Sequence, residues 1–373
     1  MIYLDNAATS FPKPDCVIEK LNFCLKKYCG NPGRSGHSLS LKTSEKIYEA
    51  RETVSSFLHL EKPENVIFTH NATQALNLAI KTTVKPDTHV LISDLEHNSV
   101  IRPLHALSNR IGVSYSIFET TGDVDNNIST KIRQNTKYIV STLASNVIGR
   151  EIDIYELSKS AKKHGLKLII DASQLIGHKK IDLSTVNCSA FCAPSHKALF
   201  GIQGAGFCIF CDEETRDTLW EGGSGNDSVN LKMPSSLPEK FEAGTLPSPS
   251  IISMMQGIKY INCIGIDNIE SSLRDMTENY AEVLRSEKNI AIYEYGNGII
   301  SFNYFKTPAS TIADELNKDE IFVRSGLHCA PLAHKTNGTE NIGAVRISLS
   351  YLNLKSDIDK FYRSIKRISK VYN

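Results

Sequence analysis

Short apolar runs alternate with stretches of helical period along the first two thirds of the chain. We predict strands at residues 65–69, 89–93, 137–142 and 166–170, with helices from about residue 72, after residue 98 and at about 154–164. Nearly continuous apolar strands that alternate with amphipathic helices are typical of a mainly parallel sheet covered on both faces. We therefore predict an α/β fold, with the ligand at the carboxyl ends of these strands.

The pattern changes after about Pro247, where two helical stretches at 250–263 and 269–286 precede separate strands and a last helix from about Lys355. This change predicts a smaller α+β domain that the N-terminal segment joins. We place the large domain at residues 15–255 and the small domain at residues 1–14 and 256–373.

The composition is typical of an ordinary soluble globular protein. The 373 residues are 41% hydrophobic and 22% charged, with a formal net charge of +1 and no basic run. Nucleic acid and anionic membranes are therefore not indicated as partners. We find no apolar segment of membrane-spanning length and no charged start followed by an apolar stretch, so we expect a cytoplasmic protein.

The nine cysteines show no spacing that suggests a disulfide framework. Cys208 and Cys211 form a CxxC, but they lie in a predicted strand, where residues three apart point to opposite faces. We interpret them as core residues and expect no metal site.

Lys197 and Asp171 are the two residues with the strongest chemical indication. Asp171 follows the apolar run 168–170, and Lys197 follows a small, polar turn one βα unit later. Pyridoxal phosphate (PLP) chemistry needs such a pair, because the amine binds the cofactor covalently and the carboxylate keeps the pyridine nitrogen protonated. The alternatives are a helix N-cap for Asp171 and a solvated surface position for Lys197. Three glycines after the lysine are expected to let backbone approach a ligand: Gly201, Gly204 and Gly206.

Other polar residues follow predicted strands at the same edge. Ala72 and Thr73 open a helix whose backbone N–H groups suit a phosphate, although an ordinary helix cap fits the same pattern. His97 is placed to stack on a cofactor ring and to shuttle protons near neutral pH, or is a surface histidine. Asn146 is a candidate hydrogen-bond partner for a cofactor oxygen or a substrate carboxylate, or is a turn residue.

A second cluster lies near the C-terminus, at residues 324–331. Cys329 stands in a short loop between Gly326 and Pro331, where nearby Arg324 favours the nucleophilic thiolate. A buried inert cysteine is the alternative. Arg346 interrupts a strand pattern and suits bidentate capture of a carboxylate, or a structural ion pair.

Together these segments resemble the PLP-dependent class V aminotransferase superfamily and, within it, the cysteine desulfurases and selenocysteine lyases. The resemblance runs nearly from end to end, and its loop around Cys329 is similar to that of the second desulfurase group. Four motifs carry it, at residues 3–9, 33–40, 241–245 and 324–331. It implies PLP fold type I, with a large domain built on a mainly parallel seven-stranded sheet plus a small α+β domain.

The resemblance also implies roles for single residues. Lys197 would be the Schiff-base lysine, Asp171 the pyridinium partner, Gln174 a contact to the phenolic oxygen of the cofactor and His97 the stacking residue. The other implied cofactor contacts are Ala72, Thr73, Asn146, Ser195 and His196, with Gly244 and Thr245 supplied by the second subunit of a homodimer. The substrate carboxylate would be bound by Asn146 and Arg346, with Arg34 and Arg324 near the entrance.

Several positions depart from the usual family pattern, among them Gln74, which stands where Glu is usual. Pro194 and Ser195 stand where Ser-Gly is common, so Ser195 is expected to supply the missing phosphate contact. Leu327 replaces a common histidine.

The resemblance implies that Cys329 takes the sulfur of L-cysteine as a persulfide, releases L-alanine and passes the sulfur to an acceptor protein. A selenocysteine lyase or another C–S or C–Se β-lyase is the alternative, for which Cys329 matters less. A non-catalytic, partner-binding relic of the fold is the alternative of another class.

Overall fold

The structure is a computed structural model that describes residues 1–33, 36–225 and 229–372. Within these residues the strands are, in chain order, β1 (Ile2–Tyr3), β2 (Val66–Thr69), β3 (His89–Ser93), β4 (Ser114–Phe118), β5 (Thr136–Thr142), β6 (Lys167–Asp171), β7 (Ala190–Pro194), β8 (Gly206–Phe210), β9 (Ile290–Gly296), β10 (Ile299–Tyr304), β11 (Ile321–Phe322), β12 (Arg324–Gly326) and β13 (Ala344–Ser348). The α-helices are α1 (Asp15–Lys27), α2 (Ser38–Phe57), α3 (Ala72–Thr83), α4 (Asn98–Ile111), α5 (Val124–Ser129), α6 (Ile154–Lys163), α7 (Ser248–Ile264), α8 (Ile266–Arg285), α9 (Ala309–Lys318), α10 (Pro331–Thr336) and α11 (Asp357–Tyr372).

A seven-stranded sheet forms the centre of the molecule, in the order β2-β8-β7-β6-β5-β3-β4. The pairs from β7 to β4 are parallel, and β8 runs antiparallel to both of its neighbours. The predicted mainly parallel α/β fold is therefore confirmed.

Both faces of this sheet are buried, and successive residues of β6 enter different cores. Ile169 packs on the side of α3 and α4, whereas Leu168 and Ile170 pack on the side of α2, α6 and α7. A strand that is covered on both faces needs apolar residues at every position. This explains why the bounds predicted from the apolar runs match those of β3 and differ from those of β5 and β6 by one residue.

The two cysteines of the CxxC point to opposite faces, as predicted. Cys208 lies in the core beside α3, and Cys211, which directly follows β8, packs against the other core.

A smaller antiparallel sheet follows in the order β12-β13-β10-β9, and β1 pairs in parallel with β11. The N-terminal segment thus joins the C-terminal part of the chain, as its predicted assignment requires. The predicted boundary at residue 255 falls inside the continuous helix α7, so the division into two domains stays a prediction. In the part of the chain that the structure describes, no helix is long and apolar enough to cross a bilayer.

Candidate active site

A cavity of about 230 Å³ lies at the carboxyl ends of the central strands. It brings together residues that are distant in the sequence, since its wall contains Ala72, Thr73, His97, Asn146, Asp171, Gln174, His196, Lys197, Arg324 and Arg346. A larger groove of about 1040 Å³ lies between α8 and α11, but none of these residues lines it. The residues that line the smaller cavity, and not its volume, identify it as the candidate site.

Lys197 and Asp171 both face this cavity. Burial lowers the pKa of Lys197 to about 8, although the Asp171 charge acts in the opposite direction. Asp171 accepts a hydrogen bond from the backbone N–H of Ser173 over 2.9 Å, and among the described residues no helix begins there. The lysine is thus no surface residue and the aspartate no helix cap; the pair stands where a reactive amine and a carboxylate can face one ligand.

The start of α3 closes one end of the cavity. The Asn71 side chain caps this helix by accepting from the backbone N–H of Gln74 over 2.9 Å, so the cap interpretation is correct for Asn71. Ala72 and Thr73 remain on the cavity wall. On the same cavity wall, the buried Nδ1 atom of His196 has no hydrogen-bond partner among the described residues. A helix start and an unpartnered imidazole nitrogen suit a phosphate at this end.

The three glycines after Lys197 act differently from the prediction, because none of them lines the cavity. A Cβ atom on Gly206 would lie 2.8 Å from the carbonyl carbon of Asn71, and one on Gly201 would lie 2.9 Å from the Cα of Met254. Gly206 lets β8 approach the start of α3 closely, and Gly201 lets the loop after β7 approach α7. The close approach of backbone is therefore to other segments of the chain and not to the cavity.

Ser99, which the sequence analysis missed, links Thr73 to His97. Its hydroxyl lies 2.8 Å from the Thr73 hydroxyl and 2.9 Å from Nδ1 of His97. The only local signal is its position two residues after His97, at the start of α4. The contact with Thr73 joins two helices and cannot be inferred from spacing.

His97 is a neutral hydrogen-bonded ring in this site. Its Nδ1 atom accepts from the backbone N–H of Ser99 over 3.1 Å, which places the proton of the neutral ring on Nε2. Burial and the Lys197 charge lower the pKa of His97 to about 4. His97 lines the cavity, where it can stack on a cofactor ring. A ring with a pKa of about 4 stays neutral near pH 7, so this pKa does not support the expected proton shuttle.

Several predicted residues lie elsewhere. Ser195 is fully buried and donates its hydroxyl to the Ile202 carbonyl over 2.6 Å, so it does not supply the expected phosphate contact. Gly244 and Thr245 are exposed and do not line the cavity of their own chain. Arg34 lies outside the described residues.

The segment that carries Gly244 and Thr245 is anchored by a buried ion pair. Arg51 binds both carboxylate oxygens of Glu242 over 2.8 Å, and Glu242 also accepts from the backbone N–H of Phe68. This bidentate geometry fixes the chain two residues before Gly244.

Cys329 is exposed on the loop between β12 and α10. Two successive residues of this loop, His328 and Cys329, have φ angles of 51° and 57°, in the left-handed region that costs a non-glycine residue about 1–2 kcal/mol. Two hydrogen bonds of 2.8 Å hold this backbone: the Asn146 amide donates to the His328 carbonyl, and the Asn98 N–H donates to the Cys329 carbonyl. The thiol is therefore presented on a fixed loop at the edge of the cavity.

The cavity also contains two opposed guanidinium groups. Arg324 of β12 is the direct cross-strand partner of Arg346 of β13, and both face the cavity. Arg346 is buried, forms an ion pair with Asp5 and donates to the Asn146 carbonyl over 2.9 Å. Its Nε atom has no partner among the described residues. The structural ion pair and a free donor thus coexist in one side chain, and the pair of cations suits a carboxylate ligand.

Glu96 is a further buried acid behind the wall of the cavity. It accepts from the backbone N–H of Thr142 over 2.7 Å and from the Ser93 hydroxyl. Burial raises the pKa of Glu96 to about 8. At neutral pH it is therefore mainly protonated and adds little negative charge beside Asp171.

Comparisons with known proteins agree with this geometry. A family model described as aminotransferase class-V matches residues 2–361. A probable cysteine desulfurase of Methanothermobacter thermautotrophicus is 31% identical over 387 residues, which cover 99% of this chain and 94% of the relative. The solved apo structure of a cysteine desulfurase from Thermococcus onnurineus NA1 has a TM-score of 0.92 at 28% identity and covers 99% of this chain and 94% of its own.

An Escherichia coli cysteine desulfurase has a TM-score of 0.90 at 21% identity, with 100% of this chain and 95% of that chain covered, and shows likeness of fold alone. The chain belongs to the class-V aminotransferase family, and its fold is the fold type I of PLP-dependent transferases.

Proposed function

We propose that this chain is a PLP-dependent cysteine desulfurase. In the proposed reaction, L-cysteine and the Cys329 thiol give L-alanine and a persulfide on Cys329. The sulfur atom moves from the substrate to the thiol, so no further oxidant or reductant is needed. The observation that carries it is the exposed Cys329 thiol on a fixed loop, beside a cavity that holds Lys197 and Asp171.

The residues of the cavity fit the cofactor. Lys197 would hold it covalently, Asp171 would face the pyridine nitrogen, and Thr73 and His196 would bind the phosphate at the start of α3. The Gln174 amide donates one N–H to the Ala7 carbonyl over 3.1 Å, and its second N–H would bind the phenolic oxygen. When bound, the cofactor acts as an electron sink for the bonds of the substrate α-carbon.

The substrate would be oriented by the two opposed arginines. Arg346 offers its free Nε, and Arg324 lies on the facing strand, so a carboxylate between them would relieve the repulsion of the two cations. The Nη2 atom of Arg324 also lies 3.9 Å from the Cys329 sulfur. The same guanidinium can thus contact both the substrate and the nucleophile.

The proposed partners follow from the same geometry. An exposed thiol on a short loop requires an acceptor protein that approaches closely, because the loop cannot carry the sulfur far. Gly244 and Thr245 are exposed in one chain, which supports a homodimer in which they complete the phosphate site of the other subunit. We place this enzyme in the cytoplasm and expect neither nucleic acid nor membrane as a partner.

The test compares Cys329→Ala with Cys263→Ala, which removes another exposed cysteine. We expect the first variant to lose alanine and sulfide release from cysteine under reducing conditions, and the persulfide, while the second keeps both. Unchanged turnover without a persulfide in Cys329→Ala would overturn the mechanism.

Two further readouts separate the alternatives. If the wild type turns over selenocysteine far faster than cysteine, and Cys329→Ala changes neither rate, a selenocysteine lyase replaces our proposal. The absence of a borohydride-reduced adduct on Lys197, after the vitamer is added back, would exclude the enzyme class.

A further inference from the structure

Two cysteines outside the active site lie in contact. The Sγ atoms of Cys188 and Cys211 are 3.4 Å apart, and the backbone N–H of Cys211 donates to the Ser189 carbonyl over 3.1 Å. Cys188 lies two residues before β7 and Cys211 directly after β8, so this backbone bond extends the antiparallel pairing of the two strands. We propose that Cys188 and Cys211 form a thiol–disulfide exchange site that reacts with small zwitterionic disulfides and closes to an intramolecular disulfide.

The two thiols differ in access, which sets the order of events. Cys211 is half-buried and lines an open surface cavity of about 730 Å³, whereas Cys188 is 6% exposed and does not line it. The hydrogen bond with Cys211, together with burial, raises the pKa of Cys188 well above its ordinary value. Cys211 is therefore the thiol that meets an incoming disulfide, and Cys188 is the one that resolves the adduct.

The cavity beside Cys211 favours a reagent without net charge. Arg216 pairs with Asp212, and Lys62 pairs with Glu213. The third cation on the wall, Lys240, shares it with two further carboxylates, Glu61 and Glu214, so the cations are offset. A zwitterionic disulfide such as cystine has both charges to offer to such a wall, whereas a strongly anionic one meets no excess of positive charge.

The exchange balances in two steps. The Cys211 thiolate attacks one sulfur of cystine, which forms a mixed disulfide and releases one cysteine thiolate. Cys188 then loses its proton to solvent and attacks the Cys211 sulfur, which forms the internal disulfide and releases the second cysteine. Two protein thiols are oxidised and one cystine is reduced. Contact at 3.4 Å requires only a small side-chain movement to reach bonding distance.

A second pair in the same strands provides a matched control. Cys192 and Cys208 are directly opposite each other in the β7–β8 register, but both are fully buried. A disulfide in solution cannot reach either thiol first. The protein therefore contains one pair of neighbouring cysteines that solution disulfides can reach and one that they cannot.

The experiment incubates the protein with cystine, blocks remaining thiols and maps tryptic peptides without reduction. Trypsin places Cys188 and Cys192 in peptide 181–197, and Cys208 and Cys211 in peptide 198–216, so variants are needed to assign a link. Adducts at the other exposed cysteines fall in different peptides. Because the readout is a mass, the result does not depend on the proposed function.

We expect linked peptides in the wild type and in Cys192→Ser and Cys208→Ser, and no link in Cys211→Ser. Cys188→Ser, with Cys188→Ala as a second variant if folding fails, should retain one half-cystine on Cys211. A reducing agent should reopen the wild-type link. A wild type that stops at the mixed disulfide, or a link that survives Cys211→Ser, would refute the site.

Discussion

Arg324 stands directly opposite Arg346 on the neighbouring antiparallel strand, and both side chains face the cavity. Like charges at directly opposed positions destabilise a sheet, and among the described residues Asp5 pairs with Arg346 and not with Arg324. Such an arrangement is expected where a ligand supplies the missing negative charge.

Arg324→Gln should therefore have opposite effects on activity and stability. We expect kcat/KM for cysteine to fall at least about tenfold, as the loss of a charged hydrogen bond implies. The free energy of unfolding of the cofactor-free protein should stay unchanged or rise by about 0.2–1 kcal/mol, because the cross-strand repulsion is removed. Steady-state kinetics and urea unfolding measure the two effects. Arg363→Gln on α11 is the control, and a less stable variant with normal kinetics would make Arg324 a structural residue.

Ser99→Ala tests the link between the phosphate end and His97. The variant removes the hydroxyl that binds Thr73 but leaves the backbone N–H that donates to Nδ1 of His97. We expect the Kd for PLP to rise about fivefold, which corresponds to one net hydrogen bond of about 1 kcal/mol. Titration of the cofactor-free protein measures this, and Ser99→Thr should restore binding. Ser141→Ala, which removes a buried hydroxyl on β5, should bind normally; equal losses in both variants would exclude a specific role for Ser99.

The lowered pKa of Lys197 predicts how its reaction with the aldehyde depends on pH. An amine with a pKa of about 8 is half neutral at that pH, whereas less than about 1% of an ordinary lysine is neutral. Since only the neutral amine is nucleophilic, the rate of borohydride-trapped adduct formation should rise through about pH 8 and then level off. Asp171→Asn removes the charge that raises this pKa, so its midpoint should lie lower. A wild-type midpoint near 10 would contradict the burial of this amine.

The central strands can be located from the sequence because their signal is local. A strand covered on both faces is apolar through its middle, so β3, β5 and β6 stand out as short apolar runs that end in polar residues. The same logic placed Asp171 at a strand end. It failed at Ser195, because the direction of a side chain in the turn after β7 depends on the carbonyl of Ile202, which no spacing rule contains.

The contacts across elements could not be inferred from the sequence. Ser99 meets Thr73 only because α3 and α4 pack side by side, and Cys188 meets Cys211 only through the register of β7 and β8. The neutral state of His97 could not be inferred from the sequence either, because its pKa depends on burial and on the charge of Lys197.

By itself, the order of apolar and polar residues determined the parallel sheet and the edge at which chemical side chains collect, because periodicity and strand ends are properties of neighbouring residues. Only the tertiary structure decided which hydroxyls, imidazoles and guanidinium groups face one another and which are committed elsewhere. Distances, desolvation and cross-strand register arise when remote segments pack, and they decide protonation and reactivity.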